Sequence, residues 1–172
     1  MQVLPKLTDS RRLTGANLFW ERPCAIIDLE FSGDLAPFIA AWQSAARSLI
    51  EATGHGAESL RHRVFAGGAS LLISAPIDAL YSMCELNEAA FKAALAARGG
   101  APVPGQVDEI KRLQGLFATE ANPALLALQA AAVEHDVPFL WDDDAVSIGH
   151  GATTQQWPPR ELPAPKAVDW SK

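Results

Sequence analysis

The sequence predicts an α/β (α+β) fold: a two-layer sandwich of helices on a mixed sheet, with a small C-terminal annexe of a helix pair and short strands. Three observations carry this prediction. Cys24–Phe31 (CAIIDLEF) is an apolar run that turns to alternation late, as in a strand buried at one end. Residues 35–50 follow with apolar side chains at helical spacing. Arg61–Phe91 then supplies two extended runs around Gly67-Gly68 and a second helical stripe opened by Pro76. Strand, helix, two strands, helix is the order in which helices cover one sheet.

Taken in order, residues 1–10 form a short lead-in with Pro5 and little to bury. Residues 11–23, RRLTGANLFWERP, read as a loop-rich segment, because Gly15 and Asn17 suit positive φ. After the strand at 24–31, Ser32 and Asp34 offer N-cap oxygens and Pro37 fits a first turn. Leu35, Phe38, Ile39, Trp42, Ala45, Ala46, Leu49 and Ile50 then mark the buried stripe of a helix that Gly54 stops. Gly67-Gly68 suits a hairpin turn, the commoner outcome, or a break that lets backbone approach a ligand.

In the second helix the predicted stripe is Ile77, Leu80, Tyr81, Cys84, Phe91 and Leu95. Asn87 and Glu88 interrupt it, and mark either its solvent edge or the wall of a polar site. Arg98–Gly105 (RGGAPVPG) terminates the helix and predicts a boundary, giving a domain at 1–105. The annexe at 106–152 comprises a helix from Asp108 to Asn122, with Ile110, Leu113, Leu116 and Phe117 on one side, and a helix from Pro123 to His135. Strands at Val137–Trp141 and Ala145–Ile148 follow, separated by Asp142-Asp143-Asp144. Residues 153–172 are proline-rich without a hydrophobic period and predict an extended connector that docks Trp157, Val168 and Trp170 on the next module of a longer polypeptide.

At 172 residues and 49% hydrophobic content the chain can bury a sizeable core. A net charge of -6 and a pI near 5.1 argue against nucleic acid or an anionic membrane as the main partner. Cys24 and Cys84 lie in apolar surroundings without C-x-x-C spacing and read as buried thiols. The N-terminus lacks the apolar stretch of a signal peptide and no window has the length of a membrane span, so the expected location is the cytoplasm, and a bacterial cell type is implied only by the resemblance given below. A homo-oligomer is compatible with this composition.

His55, His62, His135 and His150 are scattered singly, so no metal site is expected. Asp142–Asp144 suits a solvated turn, or a cation site with Asp136. Gly67-Gly68 and Gly149-x-Gly151 lack both the Lys-Ser/Thr of a P-loop and dinucleotide-fold spacing, and no G-x-S-x-G elbow occurs. No residue is assigned a catalytic role. Arg11, Arg12, Arg61 and Arg63 flank strands near turns and suit a cradle for carboxylate or phosphate, or ordinary surface positions. With Asn17, Trp20, Asn87 and Glu88 they make up the candidate substrate-binding set.

Arg12-Leu13-x-Gly15-x-Asn17-Leu18-x-Trp20, Arg63-x-Phe65 with its glycine pair, and Glu85-Leu86 resemble the N-terminal domain of cyanophycin synthetases and related proteins of the Mur ligase family. Val137-Pro138-Phe139-Leu140, Val146-Ser147-Ile148-Gly149-x-Gly151 and Gln155-Gln156 resemble the passage from that domain into an ATP-grasp module, so the similarity is collinear over nearly the whole chain. The resemblance implies a substrate-binding or scaffolding domain of an ATP-dependent ligase that joins an amino acid to a peptide or acid carboxylate. ATP and Mg are then expected only in a downstream ligase module, which is the implied partner along with an amino-acid or peptide substrate. Some members carry an H-x-x-E-H metal motif on the corresponding helix. Registered on Glu85-Leu86, its ligand positions become Ile77, Leu80 and Tyr81, expected core residues, so the hydrolytic role is not carried over.

Overall fold

A computed structural model of the chain describes residues 4–100, 102 and 105–170. Among them it has four α-helices and two antiparallel sheets, an α+β fold. The chain divides into two compact units, Met1–Glu120 and Ala121–Lys172.

The first unit contains β1 (Lys6–Leu13), β2 (Cys24–Glu30), α1 (Ala36–Ala52), β3 (Leu60–Phe65), β4 (Gly68–Ser74), α2 (Leu80–Ala97) and α3 (Gln106–Glu120). Its strands lie in the order β1-β2-β4-β3, and every pairing is antiparallel, where the sequence predicts a mixed sheet. The registers Ile27↔Leu71, Leu29↔Ala69 and Ala25↔Ile73 place one apolar set on a single face. The alternate set, Cys24, Ile26 and Leu72, packs under Trp20 of the loop after β1. Strand β4 is therefore buried along its length and β2 from Cys24 to Ile27, with the helices on one side and, at Cys24, Ile26 and Leu72, the loop on the other.

Helix α1 buries Phe38, Ile39, Trp42, Ala46, Leu49 and Ile50, the face that the spacing predicts. Its first turn is held by Asp34, whose carboxylate accepts the Ala36 N–H at 2.9 Å, and Gly54 ends it at a φ of +85°. The β3–β4 connection is the expected hairpin. Gly67 has a φ of +88°, and a Cβ on Gly68 would meet the Leu29 carbonyl oxygen at 2.0 Å, so close strand approach requires glycine there.

Further predictions are corrected. The segment expected as lead-in and loop contains β1, an edge strand paired with β2 along its length despite a polar sequence and a bulge between Leu7 and Asp9. Helix α2 starts at Leu80 and presents Leu80, Met83, Asn87, Ala90, Phe91 and Ala94 to the core. Tyr81, expected on that face, is 51% exposed, while Ile77 and Leu80 are buried as expected. The predicted boundary at 105 also moves, because α3 packs on α2 and belongs to the first unit. Residues 101, 103 and 104 of the predicted linker lie outside the described residues.

The second unit contains α4 (Pro123–Glu134) and the sheet β5 (Phe139–Trp141), β6 (Val146–Ile148), β7 (Gln155–Trp157) in that order. Asn122 caps α4 by accepting the Leu125 N–H at 3.1 Å, and Pro123 occupies the first turn. Asp142 Oδ1 accepts the N–H groups of Asp144 and Ala145, both at 2.9 Å, which makes the acidic run a turn. The predicted connector is instead part of this unit. Gln155–Trp157 pairs with β6, Val168 is buried, Trp170 stacks on His135 at 4.7 Å, and the Gln155 side chain exchanges hydrogen bonds with the backbone of Asp169.

Candidate functional site

A cleft of about 700 Å³ opens between β1, α2 and α3 in the first unit, and three predicted site residues, Arg11, Arg12 and Glu88, border it. Arg12 pairs with Ala25 across β1–β2 and so points to the helix-facing side of the sheet, where its guanidinium lies 4.3 Å from the centroid of the Tyr81 ring. Glu88 is the residue after core-facing Asn87, and a rotation of about 100° per residue swings it from the core into the cleft. Its carboxylate lies 3.9 Å from Lys92, a loose contact on the same helix.

The far wall comes from α3. The N-cap position of α2, Ala79, has no side-chain oxygen to offer, and Glu120, 38 residues beyond Ser82 in sequence, supplies the cap. Its two oxygens accept the N–H groups of Tyr81 at 2.8 Å and Ser82 at 2.7 Å. A carboxylate at this end of the helix also complements the helix dipole. Arg112 reaches back to Glu85 at 2.9 Å and forms a two-pronged contact with Glu109, at 2.7 and 3.1 Å. Those bonds raise the guanidinium's pKa, and hydrogen bonding to Arg112 holds the Glu109 carboxyl below its ordinary value. The cleft is thus assembled from fixed charges of both signs.

Cys84 sits in the same cleft. Burial first, and then the nearby carboxylates of Glu88 and Glu120, push its thiol up to about 12, with Arg12 pulling weakly the other way. At neutral pH roughly one such thiol in 10⁵ is ionised, so Cys84 is a wall residue and not a nucleophile.

Arg11 borders the cleft from β1, but its guanidinium is engaged on the opposite face of the sheet, where it pairs with Asp9 and, at 2.5 Å, with Asp28; Ser70 donates to Asp28 from the other side at 2.6 Å. The other predicted residues go elsewhere. Asn17 builds the loop: its oxygen accepts the N–H groups of Phe19 and Trp20, both at 2.9 Å, and its amide donates to the carbonyls of Gly15 and Arg22. Trp20 is 8% exposed, with Arg61 against its ring, and Arg63 is exposed farther along β3. Asn87 is wholly buried and hydrogen-bonded within the core. The expected shared site of Asn87 and Glu88 is therefore separated into a core bond and a cleft carboxylate.

Sequence reasoning missed Tyr81, Cys84, Arg112 and Glu120 as cleft residues. The one local signal was available at Ala79-Leu80, a helix start without a capping residue, which requires an acceptor from elsewhere in the chain. Among the described residues no group of three or more His, Cys, Asp or Glu side chains is placed to hold a metal ion, and no single helix is long and apolar enough to cross a membrane. No protein-family model matches the chain, and no curated protein matches it.

Proposed function

We propose that this chain is a ligand-binding module, and that it acts as the substrate-binding or scaffolding part of an ATP-dependent amide ligase of the kind its sequence resembles. ATP and Mg are then handled by a separate ligase module, the chain's partner. The observation that carries the binding reading is the placement of Arg12 and Glu88 on one cleft. An amino acid or peptide bears an ammonium and a carboxylate, and a cleft with a carboxylate and a guanidinium on its walls can hold both ends.

Two features support binding over catalysis. The Cys84 thiol is held protonated, and the Gly67-Gly68 pair closes a hairpin instead of cradling a phosphate. The ligase assignment rests on the resemblance, and Arg12, the residue that opens the resembling stretch, is also one of the cleft's arginines. A free-standing binding protein for an acidic or peptide ligand is the second reading, favoured by the burial of Val168 and the stacking of Trp170 within their own unit, which leaves the predicted docking residues already engaged.

Calorimetry on the whole chain tests the proposal, using the twenty amino acids, glycylglycine and Mg-ATP as separate probes. Saturable one-to-one binding of an amino acid or the dipeptide is expected, with no heat from Mg-ATP alone. Micromolar binding of Mg-ATP, or no saturable binding of the other probes up to about 10 mM, contradicts it.

A further inference from the structure

On the face of the first sheet away from the helices, Arg22 and Arg61 both stand against the indole of Trp20, their guanidinium carbons 5.5 and 4.6 Å from its centroid. The loop that carries Trp20 is fixed by Asn17 and packs on Cys24, Ile26 and Leu72, so the ring is a rigid platform. Arg61 is further held by donating to the Phe19 carbonyl at 2.7 Å. Arg63 lies two residues along β3 and points to the same side. Among the described residues no carboxylate is within ion-pair distance of Arg22, Arg61 or Arg63. By contrast, Arg11 has Asp9 and Asp28, and Arg112 has Glu85 and Glu109.

Three uncompensated cations on one side of an acidic protein repel one another, and an anion placed among them relieves that repulsion. A guanidinium lying on an aromatic face keeps its in-plane N–H groups for an oxyanion, and its rotamer is already restricted. The space next to them, about 620 Å³, is bounded by Arg61 and the loop from Asn17 to Arg22, which brings one carboxylate, Glu21, to its wall beside the two guanidinium groups; Arg63 stands outside it, farther along β3. We infer that Arg22 and Arg61, assisted by Arg63, form a binding site for the oxyanion group, carboxylate or phosphate, of a small ligand. This site is on the opposite face of the sheet from the Arg12–Glu88 cleft and does not depend on it.

The test is NMR on the whole chain, following the Trp20 indole N–H and the Arg22 and Arg61 Nε–H signals during titration with inorganic phosphate, with acetate, and with sodium chloride at matched ionic strength. The expected result is a saturable shift of these signals with phosphate, acetate or both, and the arm that saturates identifies the group. Arg61→Ala and Arg22→Ala should each weaken it about tenfold, as loss of one charged hydrogen-bonding partner does. Arg22 is exposed, so its variant tests the site even if Arg61→Ala fails to fold. Shifts that never saturate, that sodium chloride reproduces, or that persist unchanged in Arg22→Ala overturn the inference.

Discussion

The indole N–H of Trp42 in α1 donates to the side-chain oxygen of Asn87 in α2 at 2.9 Å, and both side chains are wholly buried. The Asn87 amide in turn donates to the Leu71 carbonyl of β4 at 3.1 Å. One polar residue thereby ties both helices to the central sheet, and fixes their register, because an unmade bond at this depth is expensive. Asn87→Leu should destabilise the first unit by about 2–4 kcal/mol, since it strands the indole N–H. In urea unfolding, Trp42→Phe combined with Asn87→Leu should cost about 1–3 kcal/mol less than the sum of the single changes. Strict additivity contradicts the coupling.

Glu120 caps a helix to which it does not belong. Glu120→Ala should cost about 1–2 kcal/mol, and Glu120→Gln less, because the amide retains an acceptor but loses the charge. Hydrogen exchange at Tyr81 and Ser82 should quicken in both variants. Unchanged protection at these two amides contradicts the cap.

Cys84 carries a pH signature. Its thiol is raised to about 12 in the folded chain, above its unfolded value, so the protonated form is the one the fold prefers. The associated stability is fully present below the unfolded thiol's pKa of about 8.5–9, and is lost as pH rises from there through about 12. In a Cys24→Ala background, the pH profile of alkylation by iodoacetamide should shift to lower pH on Glu88→Gln, yet remain above that of a free thiol, because burial is the largest cause. A profile that stays in place on Glu88→Gln places the carboxylate away from the thiol.

Glu88→Leu should keep or raise stability, since a half-buried carboxylate with only a 3.9 Å contact to Lys92 gives up little. Binding of amino-acid or dipeptide probes should weaken in the same variant. A loss of stability without any change in affinity returns Glu88 to a structural role.

Gly68→Ala should cost about 3 kcal/mol or more, because its Cβ would meet the Leu29 carbonyl oxygen at 2.0 Å and the Phe65 ring at 3.0 Å. Gly67→Ala meets no atom and should cost about 1–2 kcal/mol, from its φ of +88° alone. Thermal unfolding of the two variants checks the order, and a smaller loss for Gly68→Ala contradicts the register of β2 and β4.

Elements whose burial is apolar and regular were legible in the sequence. Helix α1, strand β2 and the hairpin followed directly from spacing and glycines. Strand β1 was not, because an edge strand is held by backbone pairing and its side chains, KLTDSRRL, carry no alternation. The face of α2 was misjudged because a core amide, Asn87, and small residues, Ala90 and Ala94, occupy positions where a hydrophobic count expects large apolar groups, while Tyr81 uses its ring under Arg12. The tail was misread because strand pairing over three residues and a single ring stack leave no period to detect. Of the site, Arg12 and Glu88 were named from sequence, but their convergence depends on sheet register and helix phase, which only the fold supplies.

The central claim is that Arg12 and Glu88 hold opposite ends of one amino-acid or peptide ligand, and end-blocked probes test it most directly. Affinities of glycylglycine, its N-acetyl form and its C-terminal amide should be measured by calorimetry for the unmodified chain, Arg12→Ala and Glu88→Gln. The prediction is that both variants weaken glycylglycine about tenfold, that Glu88→Gln no longer matters for the N-acetyl probe, and that Arg12→Ala no longer matters for the amide. Equal affinities across the three proteins, or no saturable binding of glycylglycine by the unmodified chain, would contradict it.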